Sequence, residues 1–221
     1  MVRRSQASYR IELQRQKRFG VPIAGVDEAG RGPWAGPVVA AAVILDPERI
    51  PNGIADSKAL SPDARERLYG ELLRKAHIGI GIAEVARIDR DNILAATLWA
   101  MAAAVAQLPV QPALTLVDGK ICPPLDGPVE AIVKGDASSL SIAAASIIAK
   151  VTRDALMIAA AGCWPEFGFE QHKGYGTKAH AQAITKFGLT PLHRRSFKPI
   201  QLALAGGAPE RTLAGLGGHR R

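Results

Sequence analysis

Short apolar runs alternate along the chain with longer segments of helical periodicity. Five of the short runs are rich in β-branched residues and predict strands. A brief glycine-rich turn joins the first two, which predicts an antiparallel pair, whereas helical segments separate the others and predict parallel neighbours. The pattern therefore predicts an α/β fold with a five-stranded mixed sheet flanked by helices. The predicted strands are residues 21–27, 37–45, 77–85, 113–117 and 129–133.

Three segments predict the main helices. The first has Ser61 as its N-cap and Pro62 at its first position, a combination typical of a helix start. The second is rich in alanine and stops before Pro109, and the third follows Ser138 or Ser139. These helices are expected over residues 62–75, 88–107 and about 140–162.

The length of 221 residues fits one domain of ordinary size with short extensions. We expect a catalytic domain over residues 21–200, which ends in a basic, helical C-terminal extension. Residues 1–20 carry six Lys or Arg side chains against one acid and predict a basic arm, helical or loose. Residues 201–221 are rich in Gly, Ala and Arg and predict a flexible tail.

The composition of the chain indicates the cellular compartment in which the protein is expected. No apolar run is long enough for a membrane span, and the basic start lacks the apolar stretch of a secretory signal. The two cysteines, Cys122 and Cys163, have no metal-ligand spacing and are expected to be reduced thiols. We therefore expect a cytoplasmic protein without a membrane partner, and a monomer.

The charge distribution favours a polyanionic partner. The net charge is +8 and the pI is about 9.8. Residues 171–198 contain no acid but six Lys or Arg side chains and three histidines. A solvated helix face usually mixes signs, so this segment predicts a surface that follows phosphates. The substrate contacts predicted in it are Lys173, Arg194 and Arg195.

Three of the predicted strands end in carboxylates. Asp27 and Glu28 stand at the end of the first strand, Asp118 follows the fourth, and Asp136 comes shortly after the fifth. Taken singly, these acids fit an acidic turn, an Asp–Gly turn and a helix cap. Because sites form just outside strand ends in such sheets, their joint placement predicts one cluster instead.

Four ionised carboxylates do not lie close together without cations, because like charges raise one another's pKa. Hard divalent ions with oxygen ligands remove this conflict, and Mg²⁺ or Mn²⁺ suits carboxylates better than zinc does. Two such ions, about 3.5–4 Å apart, support an in-line phosphoryl displacement. Together with the basic surface, the acids predict a metal-dependent nuclease.

Six motifs, in order between about residues 20 and 198, resemble those of the ribonuclease HII family. The resemblance implies a ribonuclease H-like fold and endonucleolytic cleavage of the RNA strand of RNA–DNA hybrids. It also implies nicking 5′ of single ribonucleotides in duplex DNA, with 5′-phosphate products and a role in replication and ribonucleotide excision repair. The motifs are residues 25–33, 56–58, 117–119, 134–136, 141–154 and 172–177.

The same resemblance assigns roles to residues. The four acids would bind two metal ions and be catalytic, and Gly30, Arg31 and Gly32 would contact the 2′-hydroxyl mostly through backbone groups. Tyr175 would pack on the sugar next to the ribonucleotide and favour a deoxyribose there; a loop residue filling a surface groove is the alternative. Lys58 would hold a backbone phosphate; without the resemblance, a solvated lysine would explain this residue nearly as well.

Two other functions fit part of the pattern. A catalytically silent hybrid-binding module would keep the basic surface, but the complete set of acids argues against it. A different carboxylate-metal nuclease, such as a proofreading exonuclease on a similar sheet, would keep the acids; the Gly30–Gly32 turn and Tyr175 argue against it. Lys150 and Arg153 fit either a substrate contact or a role within their helix.

Overall fold

The computed structural model describes residues 7–207, so the predictions for residues 1–6 and 208–221 lie outside the described residues. The described chain divides into two compact units. The first contains residues 7–29, 39–82 and 97–152, and the second contains residues 30–38, 83–96 and 153–207.

A five-stranded sheet forms the centre of the first unit. Its strands are β1 (Ile23–Ala29), β2 (Val38–Leu45), β3 (Ala76–Ala83), β4 (Leu114–Asp118) and β5 (Val129–Ile132). The order across the sheet is β3-β2-β1-β4-β5. β1 pairs with β2 antiparallel and with β4 parallel, and β4 pairs with β5 parallel. The predicted fold class, a mixed sheet flanked by helices with a helical C-terminal region, is confirmed.

Eight helices are described in residues 7–207. They are α1 (Arg10–Phe19), α2 (Pro62–Lys75), α3 (Val85–Asp91), α4 (Ile93–Ala106), α5 (Leu140–Cys163), α6 (Phe169–His172), α7 (Lys178–Phe187) and α8 (Lys198–Ala205). Two 3₁₀ turns cover Gly135–Ala137 and Pro165–Phe167. α8 extends to residue 205, so the first residues of the predicted tail are helical.

The core of the first unit lies between β2, α2 and the first half of α5. Every residue of β2 is buried, as expected for a central strand covered on both faces. Small residues line the buried part of α5, including Ala144 and Ala145, and Leu68 and Leu72 face the same cluster from α2. Ala29, which follows Asp27 and Glu28 at the end of β1, packs against this cluster.

The single helix predicted over residues 88–107 is wrong, because the chain breaks at Asn92. This residue has φ 71°, in the left-handed region, and ends α3. Its Oδ1 accepts hydrogen bonds from the backbone N–H of Leu94 at 3.0 Å and of Ala95 at 3.1 Å, so the same residue caps α4.

Residues 10–19 pack into the first unit as α1. Glu12 is fully buried, and its Oε1 accepts hydrogen bonds from the Ser139 hydroxyl at 2.6 Å and the Ser141 N–H at 2.8 Å. Arg15 forms an ion pair with Glu130 at 2.6 Å. α1 is therefore held at the first turn of α5, a position its basic composition does not reveal.

The second unit has its own apolar core. It is built by the second half of α5, the 3₁₀ turn at Pro165–Phe167, and α6 to α8. Phe167 and Phe169 stack with ring centroids 5.5 Å apart at its centre.

Cys122 and Cys163 are free and exposed. Among the described helices, none has the length and apolar character needed to cross a membrane.

Candidate active site

Neighbouring strands place the first acids. The parallel pairing of β1 with β4 runs as far as Val26 opposite Val117. Asp27 and Asp118 are the next residues on these two strands, so both lie at the same edge of the sheet. Asp27 is buried, and its Oδ1 accepts a hydrogen bond from the Glu28 N–H at 2.7 Å. Glu28 follows it, half-buried.

A backbone hydrogen bond connects the remaining acid to this edge. The N–H of Gly135 donates to Asp118 Oδ1 at 2.7 Å. Gly135 begins the 3₁₀ turn that contains Asp136, so the segment after β5 is held against the end of β4. The structure thus brings together the segments that carry all four predicted acids.

The acids act on one another electrostatically. Burial, followed by the charges of Glu28, Asp118 and Asp136, raises the pKa of Asp27 well above its usual value. Burial and the nearby carboxylates of Asp118 and Asp56 raise the pKa of Asp136 as well. An all-carboxylate set with this mutual repulsion suits a hard divalent cation. Within residues 7–207, however, no three His, Cys, Asp or Glu side chains are grouped closely enough to hold an ion as they stand.

Lys58 is an exposed cation near these acids. Its backbone N–H donates to Asp56 Oδ1 at 2.9 Å, and the N–H of the preceding Ser57 donates to the Ser146 hydroxyl of α5 at 3.2 Å. Partial burial would lower the pKa of the Lys58 ammonium, but the charges of Asp56, Asp27, Asp136 and Asp118 outweigh it, and the pKa is raised. The ammonium is therefore within electrostatic range of three of the predicted acids, Asp27, Asp118 and Asp136.

In the second unit, the two glycines of the Gly30–Gly32 turn differ in their surroundings. Gly30 has φ 99°, and a Cβ there would lie 2.0 Å from Nε of Arg153. Gly32 is exposed, and among residues 7–207 a Cβ there would meet only the Tyr175 ring, at the ordinary contact distance of 3.8 Å. The fold requires glycine at position 30 but not at position 32.

The structure does not place Arg194 on the surface. Its side chain is 0% exposed, and its guanidinium donates to the carbonyls of Gly30 at 2.5 Å, Arg31 at 2.9 Å and Gly36 at 2.9 Å. Desolvation, with the nearby charge of Arg153, lowers the pKa of Arg194 to about 9. The prediction that Arg194 contacts substrate is therefore wrong, because its donors are used inside the protein. Its role is to hold the turn.

Arg153 has a similar buried position. It is 1% exposed and donates to the carbonyls of Pro37 at 2.9 Å, Ala35 at 3.1 Å and Lys173 at 3.0 Å. It therefore fixes the segment after the Gly30–Gly32 turn and the loop that precedes Tyr175. This contact settles the open assignment of Arg153 in favour of an internal role.

Lys173 and Arg195 remain predicted substrate contacts. Lys173 is half-buried, and its ammonium donates to the carbonyl of Glu170. Arg195 is exposed, and its backbone N–H donates to Asp89 Oδ2 at 3.0 Å. Both lie in the second unit.

Tyr175 combines a fixed backbone with an exposed ring. Its N–H donates to the His172 carbonyl at 2.9 Å, and its own carbonyl accepts from the Thr177 N–H at 2.9 Å. The side chain is 46% exposed. The structure therefore places the aromatic ring of Tyr175 beside Gly32, and both residues belong to the second unit.

Sequence reasoning assigned no role to the histidines of the basic segment. His180 and His193 are buried and hydrogen-bonded to each other, and His172 stacks on His180 with centroids 4.5 Å apart. Phe167 and Phe169, just before them in the chain, were the available sign of an apolar setting. The run of cations in the same segment indicates a surface position, so the sequence pattern does not reveal that these rings are buried.

Comparison with known proteins identifies the family. A family model described as ribonuclease HII matches residues 24–200. The chain belongs to the ribonuclease HII family. As a ribonuclease HII, the protein is an endoribonuclease of the ribonuclease H type, and the resemblance seen in its motifs is confirmed.

The ribonuclease HII relatives match most of the chain. The ribonuclease HII of Maricaulis maris is 59% identical over 185 residues, which cover 83% of this chain and 85% of the relative. That of Bradyrhizobium diazoefficiens is 53% identical over 200 residues, or 90% of this chain and 77% of the relative.

Solved structures share the fold. Ribonuclease H2 from Pyrococcus horikoshii OT3 superposes with a TM-score of 0.70 at 28% identity, covering 83% of this chain and 97% of that one. Bst-RNase HIII in complex with Mn²⁺ has a TM-score of 0.67 at 20% identity, covering 83% and 69%, and shows the fold alone.

Proposed function

We propose that this ribonuclease HII hydrolyses the RNA strand of RNA–DNA hybrids and nicks duplex DNA 5′ of single embedded ribonucleotides. The reaction would use two Mg²⁺ or Mn²⁺ ions and leave a 5′-phosphate. The observation that carries the proposal is the placement of Asp27 and Asp118 at the same end of neighbouring parallel strands, with Asp118 bonded to the turn that contains Asp136. Such an enzyme would act in replication and ribonucleotide excision repair, in the cytoplasm.

Asp27, Glu28, Asp118 and Asp136 would hold the ions. When bound, the ions supply an activated water and stabilise the charge on the leaving oxygen. The chain itself contributes orientation, because backbone N–H groups fix one oxygen of Asp27 and one of Asp118 at strand ends. Lys58 offers an exposed positive charge to a phosphate of the substrate.

Recognition of the sugar would fall to the second unit. Arg194 engages the carbonyls of Gly30 and Arg31, which would hold the backbone of this turn in place for contact with a 2′-hydroxyl. The fold would tolerate a Cβ at position 32, but Gly32 leaves that space empty. A sugar can therefore approach the backbone closely. The exposed ring of Tyr175 would cover the next sugar, where an additional hydroxyl is crowded.

The test compares three duplexes: one with a single ribonucleotide, its all-DNA twin, and a continuous RNA–DNA hybrid. Each is incubated with Mg²⁺, with Mn²⁺ and with chelator. We expect a nick 5′ of the ribonucleotide and cleavage of the hybrid, with neither all-DNA cleavage nor activity in chelator. Asp118→Asn should abolish cleavage but retain hybrid binding, because the change removes charge outside the core.

Three outcomes would overturn the proposal. Cleavage of the all-DNA twin would remove the sugar specificity. Full activity of a metal-dialysed Asp118→Asn protein would remove the acid assignment. Hybrid binding by the wild-type protein without cleavage in either metal would support the silent binding module instead.

A further inference from the structure

The loop that carries Tyr175 is held at each residue of its centre. The Gly174 N–H donates to His172 Nδ1 at 3.2 Å, and the Gly174 carbonyl accepts from the Trp34 N–H at 2.8 Å. The carbonyl of Tyr175 itself lies 2.9 Å from Nδ1 of His180. The backbone is therefore fixed while the ring remains exposed.

The hydrogen bonds define one tautomer of each histidine at the end of this network. The Tyr175 carbonyl only accepts, so His180 Nδ1 carries the proton and, in a neutral ring, His180 Nε2 is an acceptor. His193 Nε2, 3.0 Å away, must then donate to it. His193 Nδ1 is accordingly the acceptor for the Thr190 N–H at 2.9 Å and for the Thr190 hydroxyl at 3.0 Å. The Thr190 carbonyl is farther, at 3.3 Å.

The result is a directed chain of hydrogen bonds from Thr190 through His193 and His180 to the Tyr175 carbonyl. His180 is 0% and His193 is 1% exposed. Desolvation, with neighbouring histidine charge, lowers the pKa of His180 to about 4 and that of His193 to about 3. Both rings therefore stay neutral near pH 7, and the chain keeps one direction.

Packing alone does not account for this chain. Phe167 and Phe169 pack against the pair, and apolar rings in place of the histidines would fill the same space but remove these partners of the Thr190 N–H and the Tyr175 carbonyl. The two histidines instead form a hydrogen-bonded chain that ends on the carbonyl of Tyr175, whose exposed ring lies beside Gly32. A preorganised platform of this kind reduces the ordering cost of binding.

We propose that His180, set in one tautomer by His193, is a positioning residue that fixes Tyr175 for contact with the sugar 3′ to the ribonucleotide. The inference rests on the role proposed above for Tyr175. It adds a physical reason why the exposed ring of Tyr175 stays in one position. Neither histidine needs to contact the substrate for this.

The test uses a matched pair of variants at position 180. Asn in place of His180 can present an amide N–H near the position of Nδ1, so His180→Asn keeps a donor for the Tyr175 carbonyl. Gln reaches only the position of Nε2, so His180→Gln loses that donor. Both are made in the wild-type background and in Tyr175→Ala. The measurements are kcat/KM on the single-ribonucleotide duplex and the melting temperature.

We expect Tyr175→Ala to lower kcat/KM about tenfold, the low end for loss of an aromatic contact to nucleic acid. His180→Gln should approach that loss but not exceed it, and His180→Asn should stay within about threefold of wild type. In the Tyr175→Ala background, His180→Gln should cost no more than about twofold, because the ring it positions is gone.

Failures of the two proposals are distinguishable. Unchanged cleavage by Tyr175→Ala would overturn the proposed role of Tyr175, and with it this inference. A normal loss with Tyr175→Ala, but an equal His180→Gln penalty in both backgrounds, would overturn only the positioning role. So would equal losses for the Asn and Gln variants at equal melting temperature.

A second pair covers the case in which His180→Gln does not fold. His193→Gln keeps a donor near Nε2, whereas His193→Asn keeps only the acceptor near Nδ1. The inference requires His193→Asn to lose more cleavage than His193→Gln, and only when Tyr175 is present. The reverse order would contradict it.

Discussion

Gly30 and Gly32 lie in the same turn, but different constraints explain why each lacks a side chain. At Gly30 the backbone conformation and the nearby Arg153 exclude a side chain. At Gly32 the protein itself would accept a methyl group, because the one neighbour within 4 Å in the described part of the chain is the edge of the Tyr175 ring, at 3.8 Å. The fold therefore does not require the absence of a side chain at position 32, which supports the proposed contact of a sugar with this turn.

This difference predicts opposite results for two alanine variants. Gly32→Ala should melt within about 2 °C of wild type yet cleave the single-ribonucleotide duplex at least about tenfold more slowly, because its methyl group occupies the sugar's approach. Gly30→Ala should melt at least about 4 °C lower, since a strained left-handed residue costs about 1–3 kcal/mol and the Arg153 clash adds to it.

Calorimetry and kcat/KM check both variants. An early-melting Gly32→Ala protein would show that this position is packed, and the ligand explanation would be lost. A fully stable Gly30→Ala protein would contradict the contact with Arg153.

At the residue scale, sequence located the acids better than the cations. Asp27 ends one predicted strand, and Asp118 and Asp136 follow two others. Because these strand ends lie at the same edge of the sheet, the positions of the acids alone indicate that they are close together. Arg194 and Arg195 are adjacent and chemically identical, yet one is buried and the other exposed. The carbonyl oxygens that accept hydrogen bonds from buried Arg194 come from residues distant in the sequence. No local sequence pattern therefore predicts that Arg194 is buried.

At the scale of elements, periodicity predicted the strands and the sheet type. β1 to β5 match the predicted runs within a few residues, because apolar β-branched segments have few alternatives in a buried sheet. The break between α3 and α4 was missed, since Asn92 interrupts an otherwise regular pattern with a single left-handed residue. α1 was missed as a packed element because its one decisive residue, Glu12, is surrounded in sequence by cations.

The contact of Glu12 predicts that α1 stabilises the start of α5. Glu12→Ala removes the acceptor for the Ser139 hydroxyl and the Ser141 N–H, and should lower the free energy of unfolding by about 2 kcal/mol. Arg15→Ala, on the same helix, breaks a partly exposed ion pair and should cost no more than about 1 kcal/mol. Urea unfolding measures both; an equal or larger effect at Arg15 would contradict the capping role.

At the scale of the whole molecule, the histidine pair makes stability depend on pH. In the unfolded chain His180 takes up a proton as the pH falls through about 6.5, whereas in the folded protein its pKa is lowered to about 4. The unfolded state thus binds more protons, and stability present above pH 6.5 is lost as the pH falls. By pH 5 the loss amounts to roughly 2 kcal/mol for this histidine.

The measurement is the free energy of unfolding at pH 7.5 and pH 5 for wild type and His180→Asn. Titrating groups that do not contact His180 are common to both proteins and cancel in the difference. His193 contacts it, and we expect this ring to stay neutral in both proteins because burial is the main cause of its lowered pKa. We expect the variant to lose about 2 kcal/mol less than wild type over this interval. Parallel losses would show that His180 is already charged, or exposed, in the folded protein.

The buried arginines also change how the net charge of +8 relates to nucleic-acid binding. Salt sensitivity of binding reflects the counterions that cations displace from phosphates on contact. Arg153 and Arg194 direct their donors to carbonyl oxygens inside the protein, so they add to the long-range potential but displace no ion. The protein should therefore attract nucleic acid from a distance as its pI suggests, yet release fewer counterions on binding than its count of basic residues implies.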